Sequence, residues 1–211
     1  IVIMKFKNYL WTVLALLMVA TACNNKPKEP AGKEDVAKVD SAMVKRVNEY
    51  QEVELKTDLS VLSENQKEMV KILFEIADLM DEIYWMQKYG DNEELLSSVE
   101  GEATKEFIKI NYGPWAVLDN NEPFIEGVGP RPAGANFYPQ DMTVKEFEAF
   151  DDTLKESQYT LIRRDEEGNL YTKWYHVAYK ERTEKAAELL KKAAELAEDD
   201  GFKRYLNLRA E

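Results

Sequence analysis

Between Ser63 and Gly90 the apolar residues recur at helical spacing, and this run constrains the fold more than any other stretch of the chain. Met69, Val70, Leu73, Ile76, Leu79, Met80 and Ile83 form one stripe, and Tyr84, Trp85 and Met86 thicken its far end. Ser63 and Gln66 stand three apart as a capping box, in which each side chain satisfies a backbone N–H at the start of a helix. Gly90 offers a left-handed stop. The pattern predicts one helix from about Glu64 to Tyr89. A stripe on one side of a helix is there to be buried against other elements. Glu75, Asp78 and Glu82 lie on the opposite side, where carboxylates could hold a cation but more commonly face water.

Further elements flank this helix. Val36, Val39, Met43 and Val47 predict a short helix, and the alternation of Val53, Leu55, Thr57 and Leu59 suggests a short extended piece. A second helix is expected over Glu102 to Ile110, with Phe107, Ile108 and Ile110 as core candidates. Thr143 and Glu146 make another capping box that opens a short helix through Phe147 and Phe150. Tyr159 to Arg164 and Leu170 to Tyr175 read as two strands, joined across Asp165 to Asn169 by an ordinary hairpin loop. A long helix is expected from about Val177 to Glu198, with Ala186, Leu189, Leu190, Ala193, Leu196 and Ala197 as its stripe. Glu181 with Lys185 and Glu188 with Lys192 are spaced as favourable ion pairs on it. Gly201 is read as its break, and Phe202, Tyr205 and Leu206 begin another helix. The fold class is α+β and mainly helical: long amphipathic helices with one β-hairpin.

The texture changes between Gly113 and Pro139, which hold five of the seven prolines and four of the nine glycines. Trp115, Phe124, Phe137 and Tyr138 are interleaved with them. Disordered low-complexity segments carry few aromatics, so this reads as a long ordered loop pinned by its rings. Loops of this length either serve function or wrap a core, and both uses stay open.

The amino-terminal segment reads as an export signal. Lys5 and Lys7 precede an apolar stretch from Tyr9 to Ala20, followed by Ala20, Thr21, Ala22 and then Cys23. The stretch falls short of the roughly 18 apolar residues of a membrane span and fits a secretory signal over residues 1–22. A cysteine directly after small residues resembles the lipobox of bacterial lipoproteins, in which that cysteine carries the lipid. Residues 23–34 then read as a lipidated cysteine and a Pro-, Lys- and Glu-containing tether, with the folded part at 35–211. The expected location is the membrane surface of a bacterial cell envelope, held by the lipid.

The chain of 211 residues has 28 Lys+Arg against 40 Asp+Glu, a net charge of −12, which argues against a nucleic-acid partner. One Cys and one His exclude a disulfide framework and any metal motif that needs two histidines. Gly127 and Gly129 lack the third glycine of a dinucleotide fingerprint, and Asp119 and Asn121 lack the glycine of a calcium loop. His176 has no nucleophile beside it in sequence.

Several stretches, taken in order, resemble a known family. Asp58-Leu59-Ser60 leads into the long helix, which ends Met80-Asp81-Glu82-Ile83-Tyr84-Trp85. Ile110-Asn111-Tyr112-Gly113-Pro114-Trp115, Leu118-Asp119 and Pro123-Phe124 follow. Then come Pro132-Ala133-Gly134-Ala135-Asn136-Phe137-Tyr138-Pro139 and Asp141-Met142. From about Glu52 onward this order is similar to the amino-terminal region of the dipeptidyl peptidase III family of zinc metallopeptidases, nearest its bacterial and plant branch, where some plant proteins add a Nudix domain. The resemblance implies part of a larger two-lobed fold, with zinc on an HExxH-type helix beyond the region seen here. It implies a truncated or fragmentary chain without zinc and inactive alone, derived from a protein that hydrolyses short peptides. Asn111, Tyr112, Trp115, Asn136, Phe137 and Tyr138 would then be candidates for the wall of a peptide cleft. The alternative is a lipoprotein that binds a peptide or other ligand without catalysis.

Overall fold

The computed structural model describes residues 33–211, with side chains from Asp40 onward. The expected signal segment, Cys23 and the tether up to residue 32 lie outside the described residues. The first two residues of helix α1 (Lys33–Val47) fall within the segment read as tether. Helix α1 packs on α4 (Glu102–Asn111), where Met43, Phe107 and Ala116 form one core cluster. Between them in sequence come α2 (Glu64–Lys88) and the short α3 (Asn92–Ser98).

The capping box of α2 is formed: the Ser63 hydroxyl accepts from the Gln66 backbone and the Gln66 side chain accepts from the Ser63 N–H. The stripe of α2 lies against α7 (Lys180–Leu196), and α8 (Asp200–Ala210) packs on α7 in turn. Met69, Ala193, Ala194 and Leu206 are the buried centre of this layer. Alanines there let the helices approach closely while Met69 and Leu206 fill the space between them. Glu198 accepts from Ser63 Oγ (2.6 Å) and Gln66 Nε2 (3.1 Å), while Arg182 pairs with Glu82 at 2.7 Å. The start of α2 thus meets the end of α7 and the end of α2 meets its start, so the two helices run antiparallel.

Two small antiparallel hairpins complete the α+β architecture. The first, β1 (Trp115–Ala116) with β2 (Glu122–Pro123), lies inside the Pro/Gly-rich tract. The second, β3 (Thr160–Arg164) with β4 (Leu170–Trp174), pairs Ile162 with Thr172 at its centre. Its inner residue Leu161 joins Ile83 and Tyr179 in a further core cluster. Helix α5 (Val144–Ala149) carries the expected Thr143–Glu146 capping box. Arg164 bridges it to the hairpin, reaching Glu146 and Asp141 at 2.9 Å each. No helix among the described residues is long and apolar enough to cross a membrane.

Four expectations differ from the structure. Residues 53–59 form no strand, and Leu55 is 92% exposed, because alternation alone gives an extended piece nothing to pair with. The long carboxy-terminal helix is two: α6 (Tyr175–Ala178) precedes α7, and the break is at Tyr179 (φ −114°, ψ 28°). Its ring is buried there, so tertiary packing overrides helical propensity. Gly201 lies inside α8; the interruption comes from extended Ala197 and from Asp199, which accepts from the Phe202 N–H at 2.7 Å. The ion pair seen on α7 is Lys180–Glu184. Helix α3 and the β1–β2 hairpin have no counterpart in the sequence-based expectation.

Candidate functional site

The Pro/Gly-rich tract is built from the end of α4 outward. Tyr112 takes a left-handed conformation (φ 50°), and Gly113 donates back to the Ile108 carbonyl at 3.1 Å. Asn111 is 1% exposed and spends its amide inside the fold. Its Nδ2 donates to the Phe107 carbonyl (2.8 Å) and its Oδ1 accepts from the Val117 N–H (2.9 Å). It therefore holds the β1–β2 turn and lines no cleft, which corrects the expectation that it faces a peptide.

Tyr112 stands against Tyr84 and Trp85, with ring centroids 4.8 and 5.0 Å away. Its hydroxyl donates to Asp81. That hydrogen bond, then burial and the negative charge of Asp81, push its pKa up to about 12. Lys88 lies over the Tyr84 and Tyr112 rings and donates to the Asn111 carbonyl; burial and then the Arg131 charge depress its pKa. The sign for Tyr112 is that of a group whose folded pKa is raised: its stabilising effect is whole below the unfolded tyrosine value and is lost as pH rises toward about 12. Burial raises Tyr89, Tyr175 and Tyr179 as well, so an ultraviolet tyrosinate titration should show a late-ionising group of tyrosines to which Tyr112 contributes one. Asp81→Asn should bring Tyr112 down toward the ordinary value, and Tyr112→Phe should shrink the late phase by one tyrosine.

Trp115 is buried, and its indole Nε1 donates to the Gly129 carbonyl at 2.9 Å. Farther along, the Tyr138 ring lies so close to Gly134 that a Cβ there would sit 2.2 Å from it, which explains the glycine. The stretch Ala135-Asn136-Phe137 is a clasp. The Asn136 N–H donates to the Gln87 carbonyl (2.9 Å) and its Nδ2 to the Met86 carbonyl (2.7 Å). Those carbonyls belong to the last turn of α2, where no helical N–H reaches them. From the other side Arg163 donates to the Asn136 carbonyl (3.0 Å) and the Phe137 carbonyl (3.2 Å), and Ile162 N–H donates to Phe137 as well. Phe137 packs on the Ile83, Leu161 and Tyr179 cluster.

Cavities open around the clasp. One of about 540 Å³ is lined by Asn136, Arg163, Lys173, Tyr179 and Arg182, with Asp91 and Glu93 on its edge. One of about 250 Å³ brings Trp115 and Asn136 together with Lys88 and Gln140. Phe137 and Tyr138 line a third, of about 680 Å³, with Arg131. The structure thus gathers Trp115, Asn136, Phe137 and Tyr138 along one folded loop and leaves Asn111 inside it. Arg163, Lys88 and Lys173 are the members that sequence reading missed. Arg163 and Lys88 spend donors on backbone carbonyls, and Arg182 pairs with Glu82. Asp91 and Glu94 also line the 250 Å³ cavity, so the lining is of mixed charge with Lys173 as a further cation.

Zinc, which the family resemblance implies for a complete protein, does not fit the residues described. Among them no three His, Cys, Asp or Glu side chains converge on a point that could hold an ion. His176 is exposed and stacks on Trp174 with ring centroids 6.1 Å apart. Of the carboxylates facing away from the α2 stripe, Glu75 and Asp78 are exposed and Glu82 is paired with Arg182.

No protein-family model matches the chain. Among solved structures it is similar to the dipeptidyl peptidase III from Caldithrix abyssi: 38% identical, TM-score 0.74, covering 79% of this chain and 34% of that one. The fold is that of part of a dipeptidyl peptidase III. The dipeptidyl-peptidase III from Corallococcus sp. strain EGB gives a TM-score of 0.74 at 29% identity, covering 81% of this chain and 34% of that one. Nudix hydrolase 3 of Arabidopsis thaliana is more distant, 25% identical over an alignment of 232 residues that covers 81% of this chain and 30% of that protein. The chain therefore spans about a third of the proteins it resembles.

Proposed function

We propose that this chain supplies part of a dipeptidyl peptidase III-type zinc peptidase, forming the side of the peptide cleft that carries no metal. The observation that carries the reading is the joint likeness in sequence and shape to the Caldithrix abyssi protein, 38% identical with a TM-score of 0.74. The chemistry of the loop agrees with it. A peptide offers carbonyls, N–H groups and charged ends, and the cavities at the clasp carry both Lys173 and the carboxylates Asp91, Glu93 and Glu94 beside the Trp115 and Tyr89 rings. Hydrolysis by zinc-activated water requires metal ligands and a general base, which the uncovered part of the fold would provide. On this reading the 211-residue chain alone releases no dipeptides. The export signal and the lipid on Cys23 would place the protein at a bacterial envelope membrane.

The test is a chimera in which the matching part of this chain, with helix α1 kept whole, replaces the corresponding third of the Caldithrix abyssi protein. The expected result is release of dipeptides from short peptides that stops with a chelator and returns with zinc. A chimera that folds and binds zinc but cleaves nothing overturns the proposal. So does chelator-sensitive dipeptide release by the 211-residue chain on its own. Incorporation of radiolabelled palmitate in a bacterial host, lost in Cys23→Ser, tests the anchor.

A further inference from the structure

Helices α2, α7 and α8 leave an apolar groove of about 710 Å³ on their outer side. Leu73 and Ile76 of α2, Leu190 of α7 and Leu206 of α8 line it. Met80 (42% exposed) and Tyr205 (55% exposed) stand at its rim, and Phe202 stacks on Tyr205 with ring centroids 6.1 Å apart. Apolar residues on three adjacent helices are more than the scattered exposure normal for a protein surface. His176, Glu184 and Arg209 give the groove a polar edge. This is the form of an interface cut through a core: apolar along the middle, charged at the border.

From this we infer that the groove is the docking surface for a helix belonging to the remaining two-thirds of a dipeptidyl peptidase III-type fold. The inference rests on the functional reading above. The occupant follows from coverage: the chain accounts for 34% of each solved relative, so the rest of such a fold has to pack against this third. A packed fold buries its apolar helix stripes, and this groove is an unfilled one built from the layer that holds the longest helices among the described residues. An amphipathic helix laid on such a groove would meet it with apolar side chains three and four residues apart.

The experiment co-expresses the 211-residue chain with a tagged polypeptide comprising the two-thirds of the Caldithrix abyssi protein that the match does not reach. Co-purification is expected, with recovery about tenfold lower for Met80→Glu and for Tyr205→Lys. Both side chains are exposed, so the variants should keep the melting temperature of the parent chain, and circular dichroism verifies that. Undiminished recovery of both variants, or no recovery of the parent chain, overturns the inference. Sedimentation showing a dimer of the chain alone that either variant dissolves also overturns it, assigning the groove to a second copy. Failure here with an active chimera leaves the peptidase reading intact, and an inactive chimera with groove-dependent recovery does the reverse.

Discussion

Phe107→Ala should lower the unfolding free energy by about 3–5 kcal/mol, the usual cost of truncating a fully buried phenylalanine. The residue is 2% exposed and stands where three parts of the chain meet. Met43 of α1 and Ala116 of β1 are in its cluster, and Phe124 packs edge-on against it at 4.7 Å. The Arg46 guanidinium lies 4.7 Å from its ring centroid and also pairs with Asp119 at 3.4 Å. Removing the ring therefore leaves a cavity, strips Arg46 of its aromatic face and frees Phe124, the residue that anchors the end of β2. Against a total stability of about 5–15 kcal/mol for a typical domain, this is a large fraction. Phe74→Ala is the matched control, since Phe74 is 68% exposed and should change little. Urea denaturation followed by tryptophan fluorescence compares the two. Equal midpoints would mean that α1 and the loop are not held through Phe107.

Why Phe107 is readable from sequence and Asn111 is not says much about this chain. Helical spacing marks Phe107 and Ile108 as core, and the two capping boxes mark helix starts at Ser63 and Thr143; all of these are local signals, and all are formed. The break at Tyr179 depends on a ring buried against Ile83 and Leu161, residues distant in sequence, so nothing nearby records it. The loop is intermediate. Its aromatics foretold order, and Trp115 and Phe137 are packed as that reading implies. The Asn-Phe-Tyr stretch is one of those that carry the family resemblance, but the partners of Asn136 are the Met86 and Gln87 carbonyls, which any residue carries and no sequence displays. Asn111 becomes a cleft candidate only through the family resemblance, and nothing in its own sequence context marks it as buried. Inside, the same amide replaces backbone hydrogen bonds that the turn cannot make for itself. Arg163 escaped notice for a similar reason, as its acceptors are backbone oxygens across the loop.

A single substitution at Asn136 tests the clasp directly. Asn136→Asp keeps size and shape and reverses one function, since a carboxylate oxygen would replace the Nδ2 donor that stands 2.7 Å from the Met86 carbonyl. Two acceptors then face each other, at a cost of about 2–3 kcal/mol, while Asn136→Ala merely leaves the carbonyl unmatched at about 1–2 kcal/mol. The backbone bond to Gln87 survives in both variants, so the loop should loosen without the domain unfolding. The aspartate variant also carries a pH signature. Its protonated acid can donate to Met86 as the amide did, so its folded pKa rises above the unfolded value near 3.9. A raised folded pKa means that the variant approaches the parent's stability at pH below that unfolded value and loses ground as pH climbs through the folded one. The difference in melting temperature between variant and parent should therefore widen from about pH 3 to about pH 7. Limited proteolysis should become faster around Gly127 to Gly134 over the same range, because the clasp is what ties that stretch to α2. A constant difference across pH would mean that the Asn136 side chain is not a donor to the helix end. The clasp also separates the cavities that Asn136 borders, so a loosened loop would blur the surface proposed to meet the peptide. In the active chimera, Asn136→Asp should then raise KM more at neutral than at acid pH, with kcat less affected, because the residue positions the cleft wall and touches no reacting atom.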